Sequence, residues 1–400
     1  MGELKTFFET FLTKKSLFIN KKAIQAHFMP GEVLHRDEQI QVIANTLAPA
    51  LRMEKPSNLF IYGKTGSGKT LCVKHVIQQM KEVAAQKELP LQIIYLNCKL
   101  KKVADTEYRM VAQLARETGK EIPPTGLPTD EVYGIFFNAI DQKRQAVLIV
   151  LDEIDQLVKK AGDELLYNFT RINGDLKNAH ISLVGISNDL VFIDLLDPRI
   201  KSSLSEEELV FPSYNALQIK SILKKRAKIA FKEGTLQPGV IEKCAAYAAR
   251  EHGDARRALE LLRVAGELAE RQEQETVSIA NLDKAEEKIE KDRVNELVET
   301  QPKHHKAVLY ASLALPKQSG QPVYTGDVYE LYRDICKRVG LRPLTQRRVS
   351  DVLSELDMTG ILNAKVISKG RYGRTREISP GIPRSMKNKT LSFLQDALNL

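Results

Sequence analysis

The sequence predicts an α/β protein: a parallel sheet wrapped by helices, then an all-helical domain, then a small basic domain of short helices and a hairpin. Three observations predict it. Short apolar runs alternate with helical segments up to Pro212, strand patterns then cease over residues 215–295, and the net positive charge gathers in the last hundred residues. Parallel strands are covered on both faces, so they read as continuous apolar runs rather than as alternating ones.

Residues 1–27 read as helical, with Phe7, Phe8, Phe11, Leu12 and Leu17 on a partly apolar face. Leu59-Phe60-Ile61-Tyr62 reads as a buried strand, followed by a glycine-rich turn and a helix from Lys69 to about Gln86. Residues 92–97, 146–152 and 181–186 give three more strands, and 208–211 a fifth. Beyond Pro212, residues 215–295 are rich in Ala, Leu, Lys and Glu, with breaks at Gly239 and Gly253. Residues 303–379 give three short helix patterns and two β-like runs, Ile361 to Ser368 and Arg374 to Ser379, joined by Gly370-Arg371-Tyr372-Gly373. The expected division is 1–212, 213–297 and 298–400.

Composition narrows the class. The 400 residues are 43% hydrophobic and carry a formal charge of +9, which describes a folded protein with ample core. Apolar stretches such as Ala146 to Leu151 are far shorter than the ~18–20 residues of a membrane span, and the N-terminus lacks a signal-peptide core, so no membrane partner is expected. Cys72, Cys98, Cys244 and Cys336 lie far apart, so neither a disulfide framework nor zinc is indicated. A reducing, cytoplasmic, nucleoid-associated setting is expected. Two Asn-x-Thr triplets, at Asn168 and Asn388, and the Met1-Gly2 start of a myristoylation pattern read as chance matches. Residues 301–400 hold 17 basic and 8 acidic side chains, against 43 of each before them. Such a local excess points to a polyanion, most simply nucleic acid.

Gly63-Lys64-Thr65-Gly66-Ser67-Gly68-Lys69-Thr70 is G-x-x-x-x-G-K-T between a strand and a helix. Glycines let backbone N–H groups wrap phosphates, and the helix adds its positive N-terminal end. ATP or ADP with Mg²⁺ is therefore expected here, Lys69 reaching the β/γ phosphates and Thr70 the metal. Asp152 and Glu153 close the third strand, where carboxylates face the phosphate crevice. Asp152 suits Mg²⁺ through water, and Glu153 suits orienting or deprotonating the attacking water. Asn188, after the fourth strand, is an amide that could position that water or simply make a turn.

In the last domain Val349, Val352, Leu353 and Leu356 follow i, i+3, i+4, i+7 and mark a buried helix face. Arg347, Arg348, Ser350 and Ser354 then point outward near the helix start, as insertion in a major groove requires. Lys369, Arg371, Tyr372, Arg374 and Arg376 crowd the hairpin, a wing suited to phosphates or a minor groove. Double-stranded DNA is the expected partner.

These parts in this order resemble the AAA+ ATPases. More narrowly, the chain resembles the archaeal replication initiators related to the origin recognition complex and cell division control protein six. The resemblance runs over nearly the whole chain. It rests on Leu34-His35-Arg36-Asp37-Glu38-Gln39-Ile40, Leu151-Asp152-Glu153-Ile154-Asp155, Asp197-Pro198-Arg199-Ile200-Lys201-Ser202-Ser203-Leu204, Glu251-His252-Gly253-Asp254-Ala255-Arg256-Arg257-Ala258-Leu259 and the terminal winged-helix pattern. It implies an AAA+ core, a helical lid and a winged helix. It places Val33, Leu34, Arg36 and Tyr214 around the nucleotide, makes Asn188 the first sensor, and makes Arg256 the second, reaching the γ-phosphate. Arg199 or Lys201 sits where relatives put a trans-acting finger, but the second residue of Ser202-Ser203-Leu204, an arginine in many relatives, is serine. The resemblance also implies a DNA contact from an insertion at Pro124 to Tyr133, including Thr125 and Gly126. Lys99, Lys101 and Lys102 form a further basic cluster nearby.

The expected function is a slowly hydrolysing ATP-dependent initiator that binds origin duplex. By resemblance it helps recruit the replicative helicase and pairs with a paralogous initiator on adjacent DNA. A clamp-loader-like subunit and an ATP-switched transcription regulator are the rival readings.

Overall fold

The computed structural model describes residues 16–99, 106–123, 125–192, 196–204, 207–251, 253–315, 322–368, 374–382 and 384–400, together with positions 5 and 8. It divides into two compact units, Met1–Leu282 and Asp283–Leu400.

The first unit holds α1 (Asp37–Leu47), β1 (Leu59–Gly63), α2 (Lys69–Gln86), β2 (Leu91–Asn97), α3 (Glu107–Glu117), α4 (Thr129–Ile140), β3 (Gln145–Asp152), α5 (Ile154–Ala161), α6 (Glu164–Arg171), β4 (Ala179–Ser187), α7 (Pro198–Leu204) and β5 (Glu207–Phe211). Helices α8 (Ala216–Ala230), α9 (Val240–Arg250) and α10 (Ala255–Arg271) follow, and α11 (Ile279–Glu299) begins here. The strands pair in parallel in the order β2-β3-β4-β1-β5, so all five strands expected from the sequence form one sheet. Side chains alternate between two cores. Phe60, Val147, Ile149 and Leu151 pack with α3 and α4 on one face, while Leu59, Ile61, Leu148 and Val150 pack with α1 and α2 on the other. Each fully buried side chain of this size contributes roughly 1.5–3 kcal/mol.

Register decides where function can sit. Tyr62 lies opposite Ser187, and Asp152 lies between Asn97 and Ile186. The carboxyl ends of β1, β3 and β4 therefore meet at one edge of the sheet, the usual place for a ligand in open α/β sheets.

Among α8 to α10, Asn215 and Gln218 cap α8 reciprocally, and Asp254 caps α10 by accepting the N–H groups of Arg256 and Arg257. The helix expected over residues 1–27 is not continuous. From Ser16 onward the described chain makes one 3-10 turn, Lys21–Ile24, and an extended bridge from Phe18 to Phe231. The tertiary partners explain the difference. Ile19 N–H donates to Ala230 O at 2.8 Å, the Phe18 ring lies 4.5 Å from that of Phe231, and Glu270 accepts from Ser16 Oγ and Leu17 N–H.

The second unit holds most of α11, then α12 (Lys303–Ala314), β6 (Val323–Tyr324), α13 (Thr325–Arg338), α14 (Gln346–Met358), β7 (Leu362–Ser368), β8 (Arg374–Pro380) and α15 (Arg384–Leu398). The order β6-β8-β7 makes a small antiparallel sheet. Val349, Val352, Leu353 and Leu356 of α14 are all buried, as their spacing requires, beside Tyr332. Strand β6 and helix α15 lie beyond what the sequence patterning indicates. Among the described residues, no helix is long and apolar enough to cross a membrane.

Candidate nucleotide site and nucleic-acid interface

The loop between β1 and α2 turns through Gly66 at φ 74° and Gly68 at φ 97°, left-handed conformations that favour glycine. Space forbids a side chain too. A Cβ on Gly66 would fall 1.8 Å from Asp254 Oδ1, and one on Gly68 would fall 2.7 Å from the Tyr214 hydroxyl. Ala255 N–H donates to Gly66 O at 3.3 Å, so the start of α10 rests on the loop.

A cavity of about 610 Å³ opens at the loop. Gly66, Gly68, Thr70, Asp152, Glu153, Asn188 and Arg256 are among its lining residues, and so are the apolar or aromatic Phe28, Val33, Leu34, Tyr214, Ile222 and Ile229. Arg36 is not among the lining residues. It is buried, donates from Nε to Ser67 O at 3.0 Å and from Nη2 to Pro212 O at 2.5 Å, and stacks 3.9 Å from the Tyr214 ring centroid. The resemblance places it beside the adenine; here its guanidinium is engaged in tying the loop to the entrance of the helical domain.

Lys69 Nζ donates to Gly63 O at 2.6 Å, Lys64 O at 3.0 Å and Asn188 Oδ1 at 2.9 Å. Burial, followed by the nearby Arg256 charge, lowers this ammonium to about 8. Thr70 Oγ1 lies 3.1 Å from Asp152 Oδ2. Glu153 takes a left-handed φ of 56° before α5, and its carboxylate faces the Lys99 ammonium at 3.8 Å. Arg256 is exposed at the cavity, whereas Arg257, one position on, turns to Glu251 at 3.1 Å. Helical rotation makes that separation.

The residues fit a phosphate and a divalent cation. Ser67 Oγ is buried without a hydrogen-bond partner, Gly66 and Gly68 let the loop take left-handed turns at the cavity, and Lys69 supplies a poorly solvated cation. A hydroxyl and a carboxylate are hard oxygen donors suited to Mg²⁺.

Arg199 and Lys201 lie outside the cavity lining. Arg199 is exposed and holds Asp197 through two hydrogen bonds of 3.1 Å. Thr125 and Gly126 are exposed in the loop before α4, Gly126 at φ 113°, and Pro124 lies outside the described residues.

In the second unit Thr345 caps α14 by accepting Arg348 N–H at 3.3 Å. Arg347 is exposed in the first turn. Arg348 is exposed but pairs with Glu355 at 3.4 Å, and Glu355 also meets His305 Nε2 at 2.7 Å. Ser350, expected to face DNA, is turned to the hairpin instead: Arg376 Nη1 donates to its carbonyl at 2.8 Å and to its hydroxyl. Both acceptors of Ser350 are taken up by this one guanidinium from β8. Lys369, Arg371 and Tyr372 lie outside the described residues; Arg374 opens β8.

Comparison with known proteins matches three families in turn. An AAA domain matches residues 52–191, a Cdc6 AAA+ ATPase-type lid domain 220–287, and a CDC6 C-terminal winged helix domain 296–386. The ORC1-type DNA replication protein of Thermococcus onnurineus is 52% identical over 390 residues, 96% of this chain and 93% of that one. The chain belongs to the ORC1-type DNA replication proteins. Another such protein, from Methanosarcina acetivorans, is 51% identical over 97% of this chain and 93% of its own length. The solved structure of the Aeropyrum pernix ORC1 protein in complex with DNA is 44% identical, with TM-score 0.84, covering 95% of this chain and 98% of that one. The Cdc6p structure from Pyrobaculum aerophilum, at 21% identity and TM-score 0.61, shares the fold over 96% of this chain and 99% of that one.

This ORC1-type chain is thus an AAA+ origin-recognition protein with a lid and a winged helix, and its site has members that sequence reasoning missed. Asp254, which caps α10, stands against Gly66; the sequence showed it only within the Glu251–Leu259 segment, with no role of its own. Arg226 donates to Gln25 O and Phe28 O and lies 4.6 Å from the Phe28 ring centroid, which fixes the strip that lines the cavity. Burial pulls its guanidinium down to about 10. Tyr95 bonds Asp152 from the neighbouring strand. No motif announces either residue, because each acts across the fold.

Proposed function

We propose that this chain is an ATP-hydrolysing initiator that binds origin duplex DNA and helps bring the replicative helicase to it. The observation that carries the reading is the convergence of Thr70, Asp152, Glu153 and Asn188 on the cavity at the sheet edge, with Lys69 bonded to Asn188 behind it, in a chain that also has a basic winged helix. Lys69 leaves its loop carbonyls for the β/γ phosphates. The N–H groups of the Gly63–Thr70 loop wrap the same phosphates. Thr70 and Asp152 hold Mg²⁺, which when bound neutralises phosphate charge. Glu153 takes a proton from the attacking water, and Asn188 helps place it. Turnover is slow, since no arginine occupies Ser203, and ADP is retained through purification.

Arg256 reports the γ-phosphate to the lid. Arg256→Ala should lower turnover roughly tenfold while changing ATP affinity less than about threefold, as read by single-turnover hydrolysis beside fluorescent-nucleotide titration. An equal loss of ATP and ADP affinity with unchanged turnover would reduce it to a binding contact.

For DNA, Arg347 and Arg348 serve base edges, where a bidentate arginine–guanine pair discriminates by ~1–3 kcal/mol. Arg371 and Arg374 serve phosphates, with Lys369 and Tyr372 beside them. Arg371→Ala with Arg374→Ala should weaken cognate and scrambled duplexes alike and flatten the log K against log salt slope by roughly 0.9 for each phosphate no longer neutralised. Arg347→Ala should mainly erode the preference for the cognate site. Titrations at several salt concentrations check both; an unchanged slope in the wing variant removes the wing from the interface. A footprint on chromosomal DNA tests the function itself. Protection of a repeat beside an unwinding element supports initiation, and protection confined to a promoter supports the regulator.

A further inference from the structure

Asp152 is held by more than Thr70. Tyr95, on β2, donates its hydroxyl hydrogen to Asp152 Oδ2 at 2.5 Å. Glu153 N–H donates to Oδ1 at 3.1 Å, and Thr70 Oγ1 stands 3.2 Å from Oδ1 and 3.1 Å from Oδ2. Each carboxylate oxygen therefore has a fixed neighbour, and the plane of the group is set by the protein before a cation arrives.

The sheet explains why a tyrosine can do this. Tyr95 pairs with Val150, so Asp152 is its diagonal neighbour two residues along the facing strand. A tyrosine side chain is long enough to span that step between the two parallel strands. The ring is itself held in place: Lys74 of α2 sets its ammonium 4.5 Å from the ring centroid. Both Lys74 and Tyr95 line the cavity beside Thr70 and Asp152.

We infer that Tyr95 is a positioning residue for the divalent cation: by fixing Asp152 it sets how readily the site takes up Mg²⁺. The hydroxyl engages Oδ2 and so limits rotation of the carboxylate. Thr70 can then give its single hydrogen to Asp152 and turn its lone pairs to the metal. Tyr95 touches no phosphate in this scheme and acts only through Asp152. The inference rests on the reading of the site as one for a nucleotide with Mg²⁺.

The test uses the full chain and compares wild type with Tyr95→Phe, which keeps the ring and its Lys74 contact and removes the hydroxyl. Turnover at saturating ATP is followed over a Mg²⁺ titration, and ADP affinity is measured in EDTA. Tyr95→Phe should need about five- to tenfold more Mg²⁺ for half-maximal turnover, recover a rate within about twofold of wild type at high Mg²⁺, and bind ADP in EDTA unchanged. A second comparison reads the effect of Mg²⁺ on ADP affinity in the Asp152→Asn background, where adding Tyr95→Phe should change nothing further. An unaltered Mg²⁺ requirement overturns the inference. So does an equal loss of ADP affinity in EDTA, which marks general damage, or an undiminished effect in the Asp152→Asn background. A wild-type protein with no Mg²⁺-dependent turnover overturns the underlying reading, an outcome separate from the other three.

Discussion

Glu153→Gln should bind ATP as tightly as the wild type and turn it over at least ~100-fold more slowly, the lower end of what a positioned general base contributes. The geometry separates the two effects. Glu153 lines the cavity but belongs to neither the glycine loop nor the Thr70–Asp152 pair. Its ion pair with Lys99 spans 3.8 Å to a side chain that is 72% exposed, so losing it costs stability little. The amide keeps size and hydrogen bonding while giving up the proton-accepting charge. Fluorescent-nucleotide binding and single-turnover hydrolysis check the pair of outcomes, and a variant that hydrolyses at the wild-type rate ends the assignment.

Lys69→Ala should lower ATP and ADP affinity by at least ~100-fold, because hydrogen bonds to charged groups are each worth about 1.5–3 kcal/mol and the ammonium meets phosphate oxygens directly. A pH signature accompanies it. The folded protein holds Lys69 at about 8, below its ordinary 10.5, so the unfolded chain binds this proton more readily. The penalty on folding is fully present below pH 8 and is gone above pH 10.5, so this residue makes the nucleotide-free protein more stable as pH rises through that window. Nucleotide affinity runs the other way, since phosphate prefers the ammonium, and should weaken above pH 8 with net proton uptake on binding. Calorimetry in buffers of different ionisation enthalpy reads the uptake. Thermal melts across the same pH range should lose this component of the slope in Lys69→Ala; an identical slope would mean that burial does not depress Lys69.

What the sequence made legible follows from how local each signal is. The five strands were readable because parallel strands are apolar on both faces, and the Gly63–Thr70 loop because its spacing is set by the phosphates it can wrap. Arg256 was readable only through the resemblance; its side chain lines the cavity while Arg257, one helical step of ~100° on, turns to Glu251. Arg36, Arg226 and Tyr95 could not be read from local pattern. Their roles come from Pro212, Gln25 and Asp152, which lie 176, 201 and 57 positions away along the chain. The helix expected over 1–27 fails from Ser16 onward for the same reason, because Phe18 packs on Phe231 and Leu17 N–H donates to Glu270; Phe7, Phe11 and Leu12 lie outside the described residues. Ser350 was rightly placed on the helix, and only the position of Arg376 decides that it faces inward.

That N-terminal strip has a consequence for how the chain is made. Its partners, Phe231 and Glu270, are translated more than two hundred residues after it, whereas the sheet is complete in sequence by Phe211. At ~5–20 residues per second, Phe18 waits roughly ten to forty seconds on the ribosome before Phe231 exists to receive it. Until then the side chains that will cover Leu17 and Phe18 do not exist. Nascent chains stalled shortly before Phe231 should expose residues 16–28 to protease, and chains stalled well past Glu270 should protect them, so a segment translated before the sheet would be among the last to settle.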